Sequence, residues 1–164
     1  FQMMQYSDII FGDQNEWEVA SGVPHIPFEA LDADYEIDKE AYLEYFRKMH
    51  QLFPKCKKMV MAVRNQIASS HHTLSGLLYD AVEDQLYTTR IYDIEPIVDP
   101  MGVGDAFIAA YIHAHQKWGD KNQYCLDFSL SASAIKNTVP GDQNLVTEEE
   151  IINNMTSSGG RIQR

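Results

Sequence analysis

The sequence predicts an α/β protein, a three-layer αβα arrangement in which a Rossmann-like sheet lies between helices. Three observations carry that expectation. Residues 6–11 and 58–63 are apolar runs too short for helices, and they read as strands buried on both faces. Around them lie stretches whose apolar residues recur at three-and-four spacing, the mark of helices with one buried stripe. A third apolar run, residues 94–98, enters the turn Asp99-Pro100-Met101-Gly102-Val103-Gly104-Asp105 and then a helix. The first strand ends at Gly12, and Asp13 caps a short helix that Gly22 stops.

Residues 23–37 hold Pro24, Pro27 and several acids without a period, and read as a loop. Asp38 caps the next helix, whose stripe runs through Tyr42, Tyr45, Phe46, Met49, Leu52 and Phe53 until Pro54 ends it. The strand at 58–63 follows, with Arg64 at its far end. Ligands in open parallel sheets collect outside the carboxyl ends of strands, so Arg64 is either a phosphate partner or an ordinary surface charge. Residues 66–73 are polar and read as a loop; with no third ligand at metal spacing, His71 and His72 belong to it. Residues 74–80 and 85–92 pair as a hairpin around a polar connection.

The helix from Asp105 carries Phe107, Ala110, Tyr111, Ala114 and Trp118 on one stripe. His113 and His115 cannot share its face and are no metal pair. A further helix spans roughly residues 123–136. Its small residues, Ser131 to Ala134, suit either close helix packing or the floor of an adenine pocket. Residues 137–144 form a polar turn, Thr147 to Glu150 is a capping box opening a last helix, and residues 157–164 are expected to be disordered.

The chain has 164 residues, 45% of them hydrophobic, enough for one domain with a real core. A formal net charge of −11 argues against non-specific nucleic-acid binding, which needs a basic face. No apolar run reaches the roughly 18 residues of a membrane span, and the first residues do not read as a signal peptide. With Cys56 and Cys125 far apart and without metal spacing, the expectation is a soluble cytoplasmic protein with reduced thiols. The chain opens on Phe1 rather than Met, which suggests a fragment.

The glycine turn carries the chemistry. Gly102 and Gly104 let the backbone approach a ligand closely, and the first amides of the following helix point at whatever sits there. Anions bind such ends. Asp105 would repel a phosphate unless it faces a second reactant, a position that suits a general base.

Asp99-x-x-Gly102-x-Gly104-Asp105 resembles the second signature of ribokinase-like (PfkB family) carbohydrate kinases, Asp-Thr-x-Gly-Ala-Gly-Asp. Asp13-Gln14-Asn15-Glu16 falls where that family carries Asn-x-x-Glu. Residues 135–142 resemble its late loop at the nucleotide site. Arg64, Leu74-Ser75-Gly76 and Pro140-Gly141-Asp142 are most similar to 2-dehydro-3-deoxygluconate kinases within it. The chain departs from the pattern at Pro100, Met101, Val103 and Asp13, and Met101 offers no side-chain hydroxyl.

The resemblance implies a truncated ribokinase-like fold, with residues 1–156 as its C-terminal nucleotide-binding and catalytic part and with the N-terminal strands and lid missing. It implies ATP-dependent transfer to a primary hydroxyl of a sugar or sugar acid, Asp105 as the base, and Gly102, Val103 and Gly104 as the anion hole. Arg64, Asn137 and Gly141 would border the nucleotide, Glu16 would hold Mg²⁺ through water, and Asp99 would bind a monovalent cation such as K⁺. The partners implied are ATP, the sugar and the missing N-terminal half, without which the chain would be inactive and prone to self-association, including as a homo-oligomer. The other reading is a non-catalytic nucleotide-binding or regulatory module.

Overall fold

The computed structural model describes residues 1–27, 30 and 33–157. Within them β1 (Ile9–Gly12), β2 (Lys58–Ala68), β3 (His71–Asp80), β4 (Gln85–Thr88) and β5 (Tyr92–Ile94) form one mixed sheet. β1 lies parallel to β2, while β3 runs antiparallel to β2 on one side and to both β4 and β5 on the other. Five helices cover it: α1 (Gln14–Ser21) and α2 (Lys39–Leu52) on one face, α3 (Val103–Trp118), α4 (Asn122–Lys136) and α5 (Glu148–Thr156) on the other.

Strand alternation sorts the side chains between two cores. Met59, Met61, Val63, Leu77 and Tyr79 point toward α1 and α2, where Trp17, Tyr42, Tyr45, Phe46 and Met49 are buried. Val60, Leu74 and Leu78 point toward α3 and α4, meeting Phe107, Tyr111, Leu126 and Phe128. Because helices cover both faces, the β2 sequence reads as a continuous apolar run. Phe46 stacks on Tyr79 with ring centroids 5.7 Å apart, which seats the α2 stripe on the sheet.

The helix starts follow the sequence closely. Asp13 accepts from the Glu16 amide at 2.9 Å while Glu16 accepts from the Asp13 amide at 3.0 Å, a complete capping box. Gly22 closes α1 in the left-handed region, with φ of 74°. Asp38 caps α2, and Thr147 with Glu150 forms the second capping box, opening α5.

Three sequence expectations give way. The polar stretch 66–73 is no loop: β2 continues to Ala68, β3 starts at His71, and only Ser69 and Ser70 turn between them. Its polarity reflects exposure, since Gln66, Ser69 and Ser70 are exposed, and a polar contact further in, where the Tyr35 hydroxyl bonds that of Thr73. The hairpin arm at 85–92 is split, because residues 89–91 bulge where three residues face two of β3. Residues 94–98 are not a strand. β5 ends at Ile94, Pro96 has no amide to donate, and the Val98 and Asp99 amides bond the Asn137 carbonyl at 2.8 and 3.2 Å instead.

Among the described residues β1 is paired along one edge only, and Phe1, Met3 and Tyr6, which precede it, are exposed. No helix among the described residues is long and apolar enough to cross a membrane. The tail assigned to residues 157–164 lies, beyond Ser157, outside the described residues.

Candidate functional site

The glycine turn sits at the start of α3 and is held by contacts the sequence did not announce. Gly102 is the N-cap, with φ of 75°, a conformation that costs other residues about 1–2 kcal/mol. A Cβ there would also lie 2.3 Å from the Asp142 carbonyl oxygen, so the turn and the 137–142 loop touch backbone to backbone. Above Gly104 the space is open: a Cβ there meets nothing within 4 Å. Helix geometry leaves the amides of Val103, Gly104 and Asp105 without partners inside α3, and Gly104 and Asp105 are exposed. The arrangement has room for an anion and donors to meet it.

Asp105 occupies the third position of α3, and its carboxylate takes no hydrogen bond or ion pair among the described residues. Asp99 is the opposite case. One carboxylate oxygen accepts the Met101 amide at 2.9 Å and the other the Gly141 amide at 2.8 Å, so Asp99 fastens the turn to the late loop. The amides of Met101 and Gly141, with a smaller contribution from the charge of Lys136, hold its carboxyl below the usual aspartate range against the opposing effect of burial. Gly141, at φ of 81°, supplies the amide.

Asn137 is buried and makes structural bonds. Its carbonyl takes the Val98 and Asp99 amides and its side-chain nitrogen donates to the Ser133 carbonyl at 3.0 Å, so it positions the loop. The small residues of α4 serve packing, not an adenine floor: Ser131 donates to the Ile151 carbonyl and Ser133 to the Val103 carbonyl, with both side chains buried. Arg64 does not stand at a strand end. It faces Leu74 within the β2–β3 ladder, exposed and without an acid partner among the described residues. Its parity puts it on the face of Val60 and Ala62, the one that α3 covers. Glu16 spends one oxygen on the Asp13 amide, at the carboxyl end of β1.

Each Asp99 carboxylate oxygen accepts one backbone amide, and the ammonium of a fully buried lysine, Lys136, donates to the Val139 carbonyl at 3.1 Å in the loop that Asp99 fastens, so that loop already holds a cation of its own. Neither the aspartate's bonding nor the lysine's burial is legible in the sequence, because both depend on how α3 and α4 meet.

Gly102→Ala is expected to weaken both the fold and the anion site, since the left-handed φ and the Asp142 contact act together. Stability should fall by about 1–2 kcal/mol or more, and affinity for an anion at the turn by at least about tenfold. Thermal unfolding and calorimetric titration measure the two.

No family model matches the chain, nor does any curated protein sequence. Solved structures do. 2-Dehydro-3-deoxygluconokinase from Thermotoga maritima superposes with a TM-score of 0.80 at 26% identity, covering 95% of this chain and 43% of that one. A PfkB family carbohydrate kinase from Listeria grayi gives 0.75 at 25% identity, with 95% and 43% covered. A ribokinase from Arabidopsis thaliana, solved with ribose and ATP, gives 0.63 at 18% identity, with 96% and 43% covered, and shows the fold alone. The described residues therefore have a ribokinase-like α/β fold. The structural neighbours of the chain are PfkB-family carbohydrate kinases, and it spans about 43% of the length of those compared here.

Proposed function

We propose that this chain is the nucleotide-phosphate and catalytic-base part of an ATP-dependent carbohydrate kinase acting on a sugar acid such as 2-dehydro-3-deoxygluconate. The observation that carries the reading is the pairing of an unpartnered, exposed Asp105 carboxylate with the open amide turn at Gly102, Val103 and Gly104. Asp105 takes the proton of a primary hydroxyl. The hydroxyl oxygen then bonds to the γ-phosphorus as the bond to the bridging oxygen breaks, and ADP leaves. Charge building on the transferred phosphoryl faces the α3 amides, where position and electrostatics lower the barrier.

Mg²⁺, when bound, neutralises phosphate charge and keeps most of its water ligands. Glu16 suits that use, because it is exposed and one of its oxygens has no partner among the described residues. Arg64 would meet the phosphates from the α3 face of the sheet, while Asn137 and Gly141 would shape the loop beside the nucleotide. The sugar would be held by a further part of the protein packed on the edge of β1 that is unpaired among the described residues. The setting we assign is the cytoplasm, and Cys56 and Cys125 are free thiols.

Calorimetric titration with MgATP tests the first half of the reading. Saturable binding that Gly102→Ala weakens is the expected result, and no binding by the folded chain would reject it.

A further inference from the structure

Lys136 is the last residue of α4 and is 0% exposed, yet it makes no ion pair among the described residues. Its ammonium donates to the Val139 carbonyl at 3.1 Å, and the Val139 amide returns a bond to the Lys136 carbonyl at 3.1 Å. The side chain thus folds back over its own helix end, into the loop whose Gly141 amide is bonded to Asp99. A buried cation without a carboxylate in contact is costly unless something else stabilises it. Three features do so here: the Val139 carbonyl, the negative end of α4, and the charge of Asp99, on whose carboxyl the Lys136 charge in turn acts. The ammonium is bonded within the 137–142 loop, whose Gly141 amide is bonded to Asp99 and whose Asp142 carbonyl closes on Gly102.

We propose that the Lys136 ammonium is this chain's own fixed cation beneath the anion-binding turn, standing where a bound monovalent metal ion would otherwise be required. The inference rests on the reading of that turn as a phosphate site. A tethered charge is present at every salt composition, so the geometry of the turn is independent of which monovalent ion is in solution. Lys136 is a positioning residue: it acts through Asp99 and the Val139 carbonyl and touches no substrate.

The test is thermal unfolding of the purified chain in potassium chloride and in N-methylglucamine chloride at equal ionic strength, with and without MgATP. For the wild type, the midpoint should differ by less than about 1 °C between the salts. A millimolar potassium site at ~100 mM salt would raise it by several degrees. Lys136→Met, which keeps the length and apolar stem but drops the charge, should unfold at a lower temperature and regain part of the loss in potassium alone. Lys136→Arg should stay indifferent to the salt.

A potassium-selective stabilisation of the wild type would overturn the proposal, as would a Lys136→Met variant that is destabilised yet blind to potassium. If Lys136→Met does not fold, the wild-type comparison alone decides. Loss of the MgATP effect with salt indifference retained would count against the nucleotide reading and leave the fixed cation standing.

Discussion

Asp105→Asn, in a protein that unites this chain with a sugar-binding part, should lower turnover by ~10²–10⁴-fold, the usual contribution of a positioned general base. The substitution is nearly isosteric and leaves the α3 amides in place, so MgATP affinity should hold or rise slightly as a negative charge near the phosphates is removed. The effect should appear in kcat at saturating substrate, because the lost interaction exists only as the proton moves. Steady-state kinetics beside calorimetric titration separates the outcomes. Unchanged turnover would reject Asp105 as the base, and retained binding with no turnover in either form would favour a regulatory module.

Asp80→Ala is expected to have the largest effect on stability. Lys58 and Asp80 sit directly opposite each other across β2 and β3, both buried, with the ammonium 3.0 Å from the carboxylate. Asn122, the first residue of α4, bonds both partners, so the knot fastens two strands to a helix. Removing Asp80 leaves the buried Lys58 ammonium only Asn122 and the exposed Asp120 carboxylate, 3.1 Å away, at a cost of up to about 3–5 kcal/mol, or up to roughly 6–20 °C in unfolding midpoint for a chain of this size. The paired replacement Lys58→Met with Asp80→Leu should recover much of the loss.

The same knot sets a pH dependence. Burial by itself would raise the Asp80 carboxyl, but bonds from Lys58, Asn122 and the Glu83 and Val82 amides outweigh it and bring it below its ordinary 3.8. Its stabilisation is therefore complete above that value and disappears as pH falls through the lower, folded one. For Lys58, burial would lower the ammonium, but bonds and charge from Asp80 and Asp120 raise it above 10.5. That contribution is present below 10.5 and fades as pH climbs through the folded value. Urea unfolding across pH should show the plateau between these limits, and Asp80→Ala should lose the acid edge assigned to this group.

What could be read ahead of the structure was whatever short-range physics decides. Asp13, Asp38 and Thr147 announce helix starts because a side-chain oxygen needs only the amides of the next turn, and Gly102 and Gly104 announce a turn because few other residues fit one. The α2 stripe was legible for the same reason. Residues 66–73 misled because a strand's identity lies in its ladder while polarity reports only its surroundings, here solvent at Gln66, Ser69 and Ser70 and the Tyr35 hydroxyl at Thr73. Residues 94–98 misled in the reverse sense, being apolar without a ladder. Asp99 and Lys136 were beyond reach, since a carboxylate shared between Met101 and Gly141 is a property of two segments some forty residues apart. Lys58 and Asp80 belong to the same class, as their meeting depends on register.

The order of the strands also bears on how the chain becomes this sheet. β2 and β3 are joined by two residues and β4 follows after a short turn, so their pairing closes small loops and is expected early. β1 must instead close a loop through residues 13–57 to meet β2 in parallel, and is expected to dock late. Since β1 leads directly into Asp13 and Glu16, the acid we assign to the metal would reach its place only after the β2–β3–β4 pairing has formed.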